Sequence, residues 1–215
     1  MNVVKFQDYK WNFIKKNALI ICSGSNIMNY LEDVLSFINN TTPISLAVNN
    51  SCIIPTIHLV TNNMIMKNYA DRINNSCIPI FGQNVKLENY PDHLESCVRV
   101  NYNDKIGEPF GYQNGRFHGY YFSSACLAMM ILHHLGFDDI KIAGMDGYNF
   151  YPDKDSVHWY KECDDEKKPK EEWKRRDDII YKRLYALRDY GIKFSIITPT
   201  LFDDFYSDEL LGGLV

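Results

Sequence analysis

Short apolar runs alternate with amphipathic stretches along this chain, and the alternation predicts most of its elements. Residues 18–22 are a continuous apolar run closed by Ser23, Gly24, Ser25 and Asn26. That is the pattern of a strand buried on both faces and ending in a turn. Apolar positions 27, 28, 31, 34, 35 and 38 follow at helical spacing, which predicts a helix over 27–39. Further strands are predicted at 44–48, 56–60, 77–81, 96–100, 140–143 and 194–198. Helices are predicted over 64–73, 123–135 and 171–190, and a Gly- and Asn-rich loop over 101–119. Residues 151–172 are polar, charged and proline-containing. They are too long for a simple connection and read as a lid.

Strands alternating with helices define an α/β fold, with a mostly parallel, Rossmann-like sheet covered by helices on both faces. Six or seven strands are expected in a single domain over 1–215, with strand 18–22 central. Neither an internal repeat nor a low-complexity tract interrupts it.

Composition narrows the function. The chain has 215 residues, 46% hydrophobic and 23% charged, which is globular usage. A net charge of −4 lacks the broad basic face of a nucleic-acid binder. Fifteen tyrosines against three tryptophans suit polar ligands such as sugars and nucleotides, although most tyrosines simply edge a core. Six cysteines lie at gaps of 20 or more, so no CxxC zinc pair exists and reduced thiols are expected. No apolar run reaches the roughly 18 residues of a membrane span, and the N-terminus has no secretory pattern. A cytoplasmic protein is expected, with peripheral membrane contact left open.

In an open parallel sheet, ligands bind beyond the carboxyl ends of the strands. Those ends here carry Gly24 and Ser25, Asn49 and Asn50, Asn62 and Asn63, and Asp146, Gly147 and Tyr148. Gly24 permits close backbone approach, and the helix expected after it offers N–H groups to an anion. The plainer reading is that Ser, Gly and Asn make turns and caps. No P-loop lysine and no three-glycine dinucleotide fingerprint accompanies Gly24. Ser123 and Ser124 open the apolar helix and form either a second anion site or an N-cap.

Among the histidines, His58 reads as buried in a strand, His93 as lying on a surface helix, and His133 and His134 as C-terminal dipole partners. His118 falls in the 101–119 loop. His158 sits in the lid between aromatics, where it can serve as a general base or remain a surface residue. The charge-dense run 164–178 reads as a solvated helix start. Asp153 and Asp155 have metal-motif spacing but fall inside the lid, and no metal site is assigned.

Residues 18–26, the strand ends at Asn49 and Asn62, and the block from Ser123 to Tyr148 recur in an order that resembles the bacterial lipooligosaccharide sialyltransferases that use CMP-sialic acid. Related domains occur in flagellin-modifying motility accessory proteins, in pterin pyrophosphokinase-like proteins and fused to aldolase-like enzymes in surface-polysaccharide clusters. The resemblance covers about residues 17–205. It implies nucleotide binding by Gly24, Ser25, Asn49, Asn62, Ser123, Ser124 and Asp146. It also implies that Tyr148 and Tyr151 steady the leaving phosphate and that His158 is the base. The expected chemistry is metal-independent inverting transfer of a sugar, with the CMP-sugar as donor substrate and no cofactor. The implied partners are that nucleotide-sugar donor and a glycan acceptor, with no nucleic acid. Homo-oligomerisation is left open. Two other readings stand beside it: a nucleotide pyrophosphokinase-like enzyme, and a non-catalytic nucleotide- or sugar-binding domain.

Overall fold

The computed structural model describes residues 1–14, 16–150, 158 and 169–212. Five apolar strands make the centre of its sheet: β2 (Asn17–Ile21), β3 (Ile44–Val48), β4 (Ile57–Val60), β5 (Ile78–Gly82) and β9 (Asp139–Ala143). β2, β3, β4 and β5 are buried along nearly their whole length, which is why their sequences read as apolar runs, whereas β9 buries Ile140, Ile142 and Ala143 and leaves Asp139 exposed. Outside them lie β1 (Asn2–Lys5), β6 (Ser96–Tyr102), β7 (Gly111–Gln113), β8 (Arg116–His118) and β10 (Phe194–Ile196). The sheet order is β10-β9-β2-β3-β4-β5-β6-β8-β7, with β1 also paired to β6. Every pairing is parallel except β7 with β8.

Alternate residues of β2 feed two cores. Ala18 and Ile20 pack with α3 (Ser124–His134), whereas Leu19 and Ile21 pack with Val34 of α1 (Leu31–Thr41). A third cluster lies under α2 (Asn63–Tyr69), built on Val60, Phe81 and Cys97. The long α4 (Lys170–Asp189) turns Ile180, Leu184 and Leu187 into the α3 core. Ile20 is fully buried, so Ile20→Ala removes packing worth about 2–5 kcal/mol. The fold is α/β and Rossmann-like, with helices on both faces of a largely parallel sheet.

Several expectations are corrected. Ten strands form, not six or seven. The strand read as first is preceded by β1, a four-residue strand whose mostly exposed, charged flanks hide it. That expected first strand is interior, between β3 and β9, but third from one edge. Segment 101–119 is not all loop: β6 runs on to Tyr102, and β7 and β8 form a hairpin that contains His118. Its turn is Asn114-Gly115, both at positive φ, the Asn-Gly pattern favoured in two-residue hairpins. The helix expected over 27–39 splits into a 3₁₀ turn, Ser25–Met28, and α1. His93 lies outside any helix, its Nε2 donating to the Ile73 carbonyl at 2.8 Å. The lid 151–172 lies outside the described residues except for His158 and 169–172, and 170–172 belong to the first turn of α4.

Candidate functional site

The chain crosses over at β2, running outward to β3 on one side and to β9 on the other. Loops leaving the two sides diverge at such a point, and a crevice opens between them. Here it is a cleft of about 500 Å³ at the carboxyl ends of the strands. That volume is in the range of small-molecule sites. Gly24, Asn49, Asn62, Ser123, Ser124, Asp146, Tyr148 and His158 all line it. Ser25 is not among the lining residues; it opens the 3₁₀ turn behind Gly24. Tyr151 lies outside the described residues.

The glycine loop differs from the expected anion cradle. No α-helix starts at Ser25, because α1 begins only at Leu31. The loop amides are bonded within the protein. Gly24 N–H donates to the Gly144 carbonyl at 2.9 Å, and Asn26 N–H donates to Asp146 Oδ2 at 2.6 Å. The buried carboxyl of Asp146 thus takes the Asn26 N–H, and a backbone carbonyl takes that of Gly24, so an anion would find both already bonded. Residues from beyond β10 pin the loop that carries Asp146. Thr198 Oγ1 accepts from Gly144 N–H at 2.9 Å, and Thr200 Oγ1 donates to the Met145 carbonyl at 2.7 Å.

Asn49 stands at φ +58°, a left-handed conformation that asparagine tolerates. Its amide is oriented at both ends. Oδ1 accepts from Thr61 N–H at 3.2 Å, and Nδ2 donates to Ser124 Oγ at 3.1 Å. Ser124 Oγ also meets Thr61 Oγ1 at 2.5 Å. Beneath them, buried His58 uses Nε2–H to hold the Asn49 carbonyl at 2.5 Å. Burial pushes the His58 pKa down, so this imidazole is neutral. Asn62 and Ser123 serve as N-caps of α2 and α3, accepting from Met64 N–H and Cys126 N–H. Ser123 also donates to Cys126 Sγ, which commits its hydroxyl to the helix start.

The opposite wall is aromatic. Tyr148 stacks on Trp173 of α4 with ring centroids 4.9 Å apart and planes 13° apart. Asp177, also on α4, accepts the backbone N–H groups of Tyr148 and Asn149 at 2.7 and 3.0 Å. Burial raises the Asp177 pKa, with these two bonds opposing the shift. His158 forms an antiparallel bridge with Gly24, and its ring meets Tyr148 edge-on, 6.3 Å between centroids. Its Nδ1 lies 3.3 Å from both the hydroxyl and the carbonyl oxygen of Ser23. A carbonyl only accepts, so the bond to it requires the proton on Nδ1 and leaves Nε2 as the acceptor nitrogen, whereas the Ser23 hydroxyl can also donate to Nδ1.

The sequence reading missed Thr61, Asp104, Phe122 and Arg176, all of which line the cleft. Thr61 immediately follows β4 and falls under the same strand-end rule as Asn62. Arg176 lies in the run read as solvated, yet its spacing from Trp173 and Ile180 puts all three on one helix face. Asp104 and Phe122 give no local signal, because a side-chain-to-backbone link between residues far apart in sequence joins them. Asp104 Oδ1 accepts Tyr121 N–H at 2.8 Å and Phe122 N–H at 3.2 Å.

Cys22 lines the cleft, but burial, with Asp146 nearby, raises its pKa strongly, so it is a packed thiol and not a nucleophile. Cys22, Cys52, Cys77, Cys97 and Cys126 are all free. Among the described residues no three His, Cys, Asp or Glu side chains group as metal ligands, and no helix is long and apolar enough to cross a membrane. No protein-family model matches this chain, and no curated protein matches its sequence.

Proposed function

We propose that this protein is a glycosyltransferase that moves a sugar from a CMP-activated donor to a hydroxyl of a glycan acceptor, as the sialyltransferases it resembles do. One observation carries the reading. A histidine and a tyrosine, with rings 6.3 Å apart, face one strand-end cleft whose other wall is amide and hydroxyl. Asparagine amides and hydroxyls both donate and accept, which suits a pyrimidine edge and ribose hydroxyls.

In this reading the acceptor hydroxyl oxygen attacks the anomeric carbon from the face opposite the phosphate. The bond from that carbon to the phosphate oxygen breaks, and its electron pair leaves with CMP. His158 Nε2 takes the hydroxyl proton. The Tyr148 hydroxyl donates a hydrogen bond to the charge that grows on the leaving phosphate. The anomeric configuration inverts, and this arrangement uses no divalent cation.

Nucleotide-induced thermal stabilisation tests the reading. Ligand at 100 times its dissociation constant adds about 2.7 kcal/mol. CMP or CDP is expected to outrank UDP and ADP, with or without magnesium, and CMP-sialic acid is expected to release CMP when a glycan acceptor is present. CMP binding without donor turnover would make the chain a binding module. A magnesium-dependent preference for ADP would point to pyrophosphoryl transfer.

A further inference from the structure

We propose that Arg176 is the residue that recognises the oxyanion of the donor, an inference that rests on the nucleotide-sugar reading above. Three acidic or strongly basic side chains stand among the described residues lining the cleft: Asp104, Asp146 and Arg176. Only Arg176 is a cation. The glycine loop, where phosphate sits in many strand-end sites, has its Asn26 N–H taken by the Asp146 carboxyl and its Gly24 N–H by the Gly144 carbonyl. A phosphate placed there would find both amides already engaged. The anion is therefore directed to the α4 wall.

Arg176 is preorganised on that wall. Its guanidinium carbon lies 5.4 Å from the ring centroids of both Tyr148 and Trp173, which are stacked on each other. Guanidinium groups stack well on aromatic faces and are weakly hydrated, so little freedom is lost when one binds an anion. Glu172, one turn earlier on α4, meets Arg176 Nε at 3.3 Å and helps to hold the guanidinium beside the rings. About a fifth of the Arg176 side chain is exposed, and it lines the cleft beside the tyrosine assigned to the leaving group. A planar fork of N–H donors at this place fits a phosphate or carboxylate in two-point contact. A CMP-linked acidic sugar offers both groups, the nucleotide phosphate and the sugar carboxylate.

Calorimetric titration of the wild type, Arg176→Gln and Arg176→Lys with cytidine, CMP and an inert CMP-sialic acid analogue separates the two. Losing a hydrogen-bonded charge costs roughly 1.5–3 kcal/mol, about 10- to 150-fold in affinity. Arg176→Gln is expected to weaken an anionic ligand by that factor, to leave cytidine unchanged, and to be partly rescued by Lys. Loss already seen with CMP assigns the phosphate; loss seen only with the sugar nucleotide assigns the carboxylate. Unchanged binding of both anionic ligands overturns the proposal. An equal loss of cytidine also overturns it, since that marks Arg176 as a brace for Tyr148. The wild-type profile tests the donor reading separately. If UMP or AMP binds in place of CMP, the same nucleoside-to-nucleotide comparison still decides the role of Arg176. A wild type that binds no nucleotide overturns both.

Discussion

Gly24 and Asp146 are packed so closely that a methyl group does not fit between them. A Cβ built on Gly24 would lie 2.6 Å from the Asp146 carboxyl carbon and 2.4 Å from the Gly144 carbonyl oxygen. Both neighbours are fixed, one by its bond to Asn26 N–H and the other by its bond to Gly24 N–H. The glycine is needed for space, not for φ, which is −59° here. Gly24→Ala is therefore expected to push apart the loops after β2 and β9, with an overpacking cost of about 1–3 kcal/mol. Urea unfolding measures the cost, and nucleotide titration shows whether the cleft survives. Wild-type stability would mean that the Asp146 loop yields freely.

His158 and Tyr148 should separate by kinetic signature. His158→Ala removes the proposed proton acceptor and is expected to lower turnover by roughly 10²–10⁴-fold, with nucleotide affinity unchanged. Tyr148→Phe keeps the stack on Trp173 and deletes only the hydroxyl. It should slow departure of the leaving group, and a donor with a better leaving group should recover most of the lost rate. Wild-type turnover in His158→Ala would reduce His158 to a loop residue bridged to Gly24. Equal loss of nucleotide binding would give it a purely structural role.

The central sheet was legible because β2, β3, β4 and β5 are buried on both faces and contain mostly apolar residues, and β9 still presents Ile140, Ile142 and Ala143. β1 was not, since its side chains are largely exposed and its pairing to β6 depends on residues some ninety positions away. The β7–β8 hairpin was legible in principle through Asn114-Gly115, but three-residue strands carry too little alternation to stand out. Site residues directly after a strand could be read from position alone. The intended use of Gly24 could not, because Asp146 reaches its loop from 120 residues along the chain. Arg176 was hidden by its neighbours: a dense charge run looks solvated until the helix face is drawn.

Buried His58 gives the fold a pH dependence of predictable sign. Its folded pKa is lowered by burial, so below about pH 6.5 the unfolded chain takes up a proton that the folded chain does not. Its contribution is fully present above that pH and is lost as the pH falls, by at most ~1.4 kcal/mol per pH unit. His134, though exposed, shifts in the same direction through partial desolvation and the neighbouring His133, and adds to the slope. Melting temperatures between pH 7 and 5 should fall in the wild type and fall less steeply in His58→Gln. An unchanged slope would assign the whole effect to His134 and to surface groups.

The turn that leads into α3 is strained. Phe122 lies at φ +60°, a conformation that costs a residue with a Cβ roughly 1–2 kcal/mol. Something must hold it there, and Asp104 does so by accepting two consecutive N–H groups, those of Tyr121 and Phe122. Strain of this kind gathers at functional sites, and the Phe122 ring lines the cleft. Asp104→Ala should therefore cost about 1–2 kcal/mol in urea unfolding, near the net worth of two hydrogen bonds on an exposed turn. Phe122→Gly removes the strain together with the ring. It should leave stability within about 1 kcal/mol of wild type while weakening ligand binding, because the contact surface goes and the turn remains. In the Phe122→Gly background, Asp104→Ala should cost less than it does alone, since less strain is left to restrain. Equal costs in the two backgrounds would show that the carboxylate does not hold Phe122 in its strained conformation. Unaltered ligand affinity in Phe122→Gly would show that the ring takes no part in binding.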